Sequence, residues 1–218
     1  MKKTTAFAVG FATYLAGLAV GYRTLVRNRC LNWGATPEEA VGAMAGDELQ
    51  ARPDIVSTRA VTIHAEPAAI WPWLVQMGPG RGGAYTYDWI ENLLGLDMHS
   101  AQEILPQFQN LRVDDEFTLG AGGPTMRVAV LDPEHALVFG STDGNWVWAF
   151  ELRAGADGTR LLSRNRITLP STFPPFRLPY QLIMEPGSWV MERKMLLGIK
   201  ERAERPAVTA PVDTVVQV

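Results

Sequence analysis

The chain has 218 residues, 47% of them apolar and 20% charged, with a net charge of −3. That length suits one domain with appendages, and that apolar share excludes a disordered chain. No Lys/Arg-rich run is present to follow a phosphate backbone, which argues against nucleic acid as a partner, and a lone cysteine, Cys30, excludes an intrachain disulfide.

At the amino end Lys2 and Lys3 precede an uncharged run from Thr4 to Tyr22, and Arg23, Arg27 and Arg29 follow it. As a helix these 19 residues would span about 28 Å, close to the thickness of a hydrocarbon core. Residues 1–30 are therefore read as a single-pass transmembrane anchor. The alternatives are a secretory signal peptide cleaved near Ala19-Val20-Gly21 and a buried helix. The run is long for a signal core, and its uniformly apolar faces suit lipid. Gly17 and Gly21 are either a close-approach pair or ordinary membrane-helix composition. The flanking charges nearly balance, with a slight lean toward a domain on the cytoplasmic side. Cys30 is read as an unmodified thiol rather than a palmitoylation site.

Residues 31–55 read as a linker, with a short helix at 37–44 capped by Thr36 and carrying Glu38 and Glu39 in its first turn. The domain proper is expected at residues 56–205. The tail 206–218 holds Pro206 and Pro211 and little to pack, so it reads as disordered.

Val56–His64 alternates as a strand, with Arg59, Val61 and Ile63 on one face and Thr58, Ala60, Thr62 and His64 on the other. Pro67 opens a helix through Val75, whose stripe of Ile70, Trp71, Leu74 and Val75 predicts Trp71 buried against a sheet. Gly78–Gly83 is a loop and Tyr87–Leu94 a second short helix. Strands follow at Glu116–Leu119, Thr125–Leu131, Ala136–Ser141, Trp146–Arg153 and Arg160–Thr168. The turns Asp143-Gly144-Asn145 and Asp157-Gly158 join them as hairpins. A last helix runs from about Ser188 to Glu204, entered through Pro186-Gly187, with Trp189, Met195, Leu196 and Ile199 on its apolar side. Strands clustered together with helices at the ends specify an α+β fold.

Val61–Gly78, VTIHAEPAAIWPWLVQMG, has a strand, an Ala-x-Pro turn and a helix carrying Ile-Trp. It resembles the opening of the START-like superfamily, also called SRPBCC or polyketide cyclase/dehydrase-like. Gly80–Ala101, GRGGAYTYDWIENLLGLDMHSA, and Trp189–Glu204, WVMERKMLLGIKERAE, are similar to a bacterial subgroup with an N-terminal hydrophobic segment. The resemblance covers residues 56–204. It implies a helix-grip fold, in which a curved antiparallel sheet wraps a long C-terminal helix and leaves a cavity between them. That superfamily includes lipid carriers, hormone binders, aromatic cyclases and oxygenase subunits, so the fold implies no one reaction.

Candidate ligand-binding residues fall in two groups. Arg81, Tyr85 and Tyr87, on or just after the glycine loop, are expected to ring a cavity mouth with Asp88. Trp146, Trp148 and Phe150 share a strand face with Leu152 and are expected to meet Trp189 of the last helix, lining a cavity or a packed core. Trp148 is expected inside, because Ala149 shares its face with Glu151 and Arg153. Arg127, Arg164 and Arg166 would suit a ligand carboxylate if they faced inward; the outer sheet face is their simpler place.

GPGRGG lacks the Lys-Ser/Thr of a P-loop. His64, His99 and His135 are dispersed and no Rieske pattern exists, so neither a metal nor another cofactor is expected. Asp97, His99 and Ser100 suggest a triad less than they suggest a capping box from Ser100 to Glu103. The expected function is membrane-tethered binding of an apolar, lipid-like or aromatic small molecule. A polyketide cyclase/dehydratase-like enzyme using Asp88, His99, Glu116 or Glu151 is the alternative. A ligand-free interaction module is a third reading.

Overall fold

The computed structural model describes residues 10, 13–14, 17–169 and 174–206, and side chains for all of these except 174–180. Residues 1–9, 11–12 and 15–16 of the expected anchor and nearly all of the expected tail lie outside the described residues. Among the described residues, no helix is long and apolar enough to cross a membrane.

Six strands form one antiparallel, curved sheet: β1 (Ile55–Ile63), β2 (Glu116–Thr118), β3 (Thr125–Asp132), β4 (Ala136–Ser141), β5 (Trp146–Gly155) and β6 (Gly158–Ile167). The spatial order is β1-β6-β5-β4-β3-β2, so β2 to β6 meander and β1 pairs with the last strand. Gly155 pairs with Gly158, closing a two-residue turn between β5 and β6. Gly158 has φ +114°, and a Cβ there would sit 2.3 Å from the Ile63 carbonyl oxygen, so only glycine fits. A bulge between Val128 and Val130 interrupts the β3–β4 register.

The helices are α1 (Arg27–Leu31), preceded by a π-helical turn at Tyr22–Val26, α2 (Pro37–Val41), α3 (Pro67–Val75), α4 (Asp88–Leu93) and α5 (Pro174–Ala203). The cap expected at Thr36 is a full capping box: the Glu39 amide donates to the Thr36 hydroxyl, and the Thr36 amide donates to the Glu39 carboxylate. The terminal helix is longer than the expected 188–204 and runs through Pro186-Gly187 rather than starting there. Its added length is tied down at Glu185, which accepts from Arg27 at 2.8–3.1 Å and from the Tyr22 hydroxyl at 2.7 Å.

Both faces of the sheet are covered. On the inner face Ile63, Leu161, Phe150, Leu152, Leu137 and Phe139 pack with Ile70, Trp73 and Leu74 of α3 and with Met195, Leu196 and Ile199 of α5. Trp73, not Trp71, is the deeply buried tryptophan of α3; Trp71 only flanks this core. Nearly every residue of α3 is apolar, so its apolar pattern has too little contrast to phase the helix correctly.

On the outer face Ala60, Val138, Val147, Ala149 and Leu162 are buried with Met44. The segment expected to be a linker supplies this cover. Arg164 fastens it: its guanidinium donates to the carbonyls of Glu39, Ala40 and Gly42 and to Asp47, at 2.7–3.2 Å. Arg166 also pairs with Asp47. These arginines therefore sit on the outer face, and the exposed Arg127 pairs with Asp114.

Candidate ligand cavity

Between the inner face of the sheet and α5 lies a cavity of about 840 Å³. Strand alternation places its wall. In β1, Ser57 and Arg59 point to the α5 side, beside Asn165 and Ser163 of β6 in the pairing register. Asn165 and Ser163 in turn lie beside Trp148 and Phe150 of β5. Trp146 and Trp148 stack with ring centroids 5.9 Å apart and planes 20° apart. With Leu31, Ile55, Met184, Met191 and Met195 they give the cavity an apolar lining.

One end of this space is polar. Arg59 is fully buried, and its guanidinium donates to the Glu192 carboxylate, to the Ser188 hydroxyl at 3.1 Å and to the Cys30 carbonyl at 2.9 Å. Glu192 also accepts from the Ser163 hydroxyl and from Asn165 Nδ2 at 3.1 Å. The indole N–H groups join the same network: Trp146 donates to Asn165 Oδ1 at 2.8 Å and Trp148 to Ser163 Oγ at 3.1 Å. An arginine and a glutamate withdrawn from water persist together because each satisfies the other and neighbours satisfy their remaining sites. The network fixes both tryptophan rings as well as the charges, giving the cavity a rigid aromatic wall beside a polar patch.

The expected site residues divide on this geometry. Trp146 and Trp148 line the cavity, as their shared face predicts. Phe150 lies beyond it, fully buried in the inner core. Trp189 borders a separate pocket of about 350 Å³ between α1 and α5, with Leu25, Arg29 and Trp33. Tyr85 is buried, not at a mouth: its hydroxyl donates to the Trp73 carbonyl at 2.9 Å, its ring carries the Arg202 guanidinium at 4.7 Å, and burial pushes its phenol upward. Arg81 stacks on Phe108 at 4.7 Å and donates to the carbonyls of Val75 and Phe108, away from the cavity lining. Tyr87 is the half-buried residue before α4 and does not border the cavity.

The glycine loop serves packing. Gly83 has φ +71°, and a Cβ there would meet the backbone of His99 and Ser100 at 2.8 Å.

The acid–base candidates also lie outside the lining. Asp88 accepts from the Ser100 amide at 2.8 Å and hydroxyl at 2.5 Å, so Ser100 braces α4 and opens no helix of its own. His99 is exposed beside Asp97, and Glu116 is exposed on β2. Glu151 pairs with Arg153 on the outer face. The acids that do border the cavity are Glu91, Asp143, Glu185 and Glu192. For Arg59 the sequence held a usable signal, since it shares a strand face with Val61 and Ile63. Glu192 alternates with a polar helix side, and nothing local marks it as buried.

No family model matches the chain, and no curated protein matches it. Among solved structures it is similar to the KanY protein, with 15% identity, 71% of this chain and 100% of that one covered, and a TM-score of 0.45. It is similar to a protein of Chromobacterium violaceum, with 14% identity, 70% and 99% covered, and a TM-score of 0.43. It is also similar to the Aha1 protein of Colwellia psychrerythraea, with 15% identity, 69% and 96% covered, and a TM-score of 0.38. The likeness of this chain to these proteins is distant and structural.

Proposed function

We propose that this protein holds an apolar small molecule in the cavity between the sheet and α5, with the molecule's polar end at the Arg59–Glu192 network. The observation that carries the reading is the cavity itself. Its volume of about 840 Å³ suits a small-molecule site, and it combines an apolar lining with a few fixed polar groups, as such sites require. The stacked Trp146 and Trp148 offer a flat surface for a ring or a chain.

A tether to a membrane through the uncharged run Thr4–Tyr22 belongs to the same proposal. Supporting it, Leu25, Ile183 and Met184 are exposed apolar residues near the Tyr22–Arg27–Glu185 contact, and Met184 also borders the cavity. Resistance of the full chain to carbonate washing of membranes tests the tether, and release by carbonate would refute it.

The binding reading is tested by mass spectrometry of what the natively purified chain carries, compared with a Ser57→Phe variant. Ser57 is buried on the cavity wall, so a phenyl ring there occupies ligand space. An organic molecule retained by the wild type and lost from the folded variant is the expected result. Identical content in both would contradict it.

A further inference from the structure

Three acids bordering the cavity are held by strong partners: Glu192 by Arg59, Glu185 by Arg27, and Asp143 by Ser141 and Asn145. Glu91 differs. It is 6% exposed, and its Oε2 is buried without a hydrogen-bond partner. The neighbouring Thr86 Oγ1 is buried too and makes no hydrogen bond of normal length; the group it faces is the Glu91 carboxyl itself, whose charge it favours only weakly against burial. Both residues border the cavity. Such groups are rare in folded proteins, because a buried polar atom left unpaired gives up its hydrogen bonds to water and gains none in return.

The setting is also unbalanced in charge. Glu91 lies on α4, one turn from Asp88, whose negative charge works against its ionisation. Among the described residues, the other charged groups on the cavity wall are Arg59, Asp143, Glu185 and Glu192, and Arg59, the cation of this set, is committed to Glu192. Burial, reinforced by Asp88 and opposed by Thr86, pushes the Glu91 carboxyl above its ordinary range.

We propose that Glu91 and Thr86 form a second polar anchor in this cavity, one that takes a protonated amine of the bound molecule. This rests on the cavity being a ligand site. An ammonium placed there donates to these oxygens and supplies Glu91 with a positive charge that no described residue of the wall brings to it. A neutral hydroxyl would meet the first need and not the second. The ligand class is therefore an apolar molecule bearing a basic nitrogen. Ammonium binding favours the ionised carboxylate, so wherever the free Glu91 carboxyl still holds its proton, binding drives that proton into the buffer.

The test uses the purified full-length chain with 1-decylammonium and 1-decanol, which share one hydrocarbon chain, titrated calorimetrically in two buffers of different ionisation heat. The wild type is expected to bind the amine at least about tenfold more tightly than the alcohol, the weight of one hydrogen bond to a charged group. Amine binding is expected to release protons and alcohol binding to release none. Glu91→Gln is expected to remove both the preference and the proton release, while decanol affinity stays within about twofold. Equal affinities in the wild type, amine binding without proton release, or a preference that survives in Glu91→Gln would each overturn the anchor while leaving the cavity reading standing. Binding of neither probe would overturn the cavity reading and the anchor with it. The proton-release arm needs only the wild type, so it decides the matter even if the variant fails to fold.

Discussion

Breaking the Arg59–Glu192 pair from one side strands the other charge. In Glu192→Leu, the Arg59 guanidinium keeps only the Ser188 hydroxyl and the Cys30 carbonyl, and Ser163 and Asn165 each lose a partner. Removing one member of a buried ion pair costs about 3–5 kcal/mol, and water entering the adjacent cavity places this site near the lower end, at about 3 kcal/mol. Arg59→Leu should cost about the same, because Glu192 then sits against neutral donors alone. The double variant Arg59→Leu/Glu192→Leu leaves no stranded charge and should cost only about 1–2 kcal/mol. The coupling between the two sites is then about 4 kcal/mol, far beyond the few tenths seen for independent positions. Urea unfolding followed by circular dichroism, with all four proteins fitted to a common slope, measures it. Single-variant losses below about 0.5 kcal/mol, or losses that simply add, would refute the view that this pair is an isolated, mutually dependent unit.

Other consequences follow from packing and linkage. Trp73→Ala should cost about 3–5 kcal/mol and Trp71→Ala clearly less, since only Trp73 is deep in the core; the reverse order would place α3 in a different rotation. Arg164→Ala removes the donor that holds four partners in the 39–47 segment. It should raise amide exchange across residues 37–50 well before it affects β5, and unchanged protection there would show that Arg164 is not what fastens the segment. Glu91 carries a carboxyl raised by burial, so stability from its protonated form is present below its unfolded pKa and is lost as pH rises through its folded one. Glu91→Gln should therefore gain on the wild type as pH rises, and a difference independent of pH would contradict that assignment.

The elements were largely legible, because alternation and turn chemistry are local. The cap at Thr36 stands where the residue types demand, and the β5–β6 turn falls one residue before the expected Asp157-Gly158, at Ala156-Asp157, with Gly158 already paired in β6. The inward face of β5 was legible too, from Trp146 and Trp148 against Glu151 and Arg153. Its outer face was not: Val147 and Ala149 are buried because residues 31–54 fold back over them, a nonlocal contact fastened by Arg164. Failures at the site share this cause. Tyr85 and Arg81 lie next to a glycine loop that resembles a mouth, yet the 99–108 backbone closes over it. Glu192 looks like part of a solvated helix side until Arg59 of β1 is seen bonded directly to it. Nothing local distinguishes Glu91 from other helix acids, and only tertiary packing leaves its oxygen unpartnered.

The central claim is that an apolar molecule occupies the space beneath Trp146 and Trp148. The most direct measurement is the heat-capacity change of 1-decanol binding, taken from calorimetry at several temperatures on the wild type and on Ser57→Phe. Burial of apolar surface in the cavity predicts a negative heat-capacity change for the wild type and no binding by the folded variant. A wild type that binds no decanol, or a Ser57→Phe protein that binds it with the same affinity and heat-capacity change, would contradict the claim.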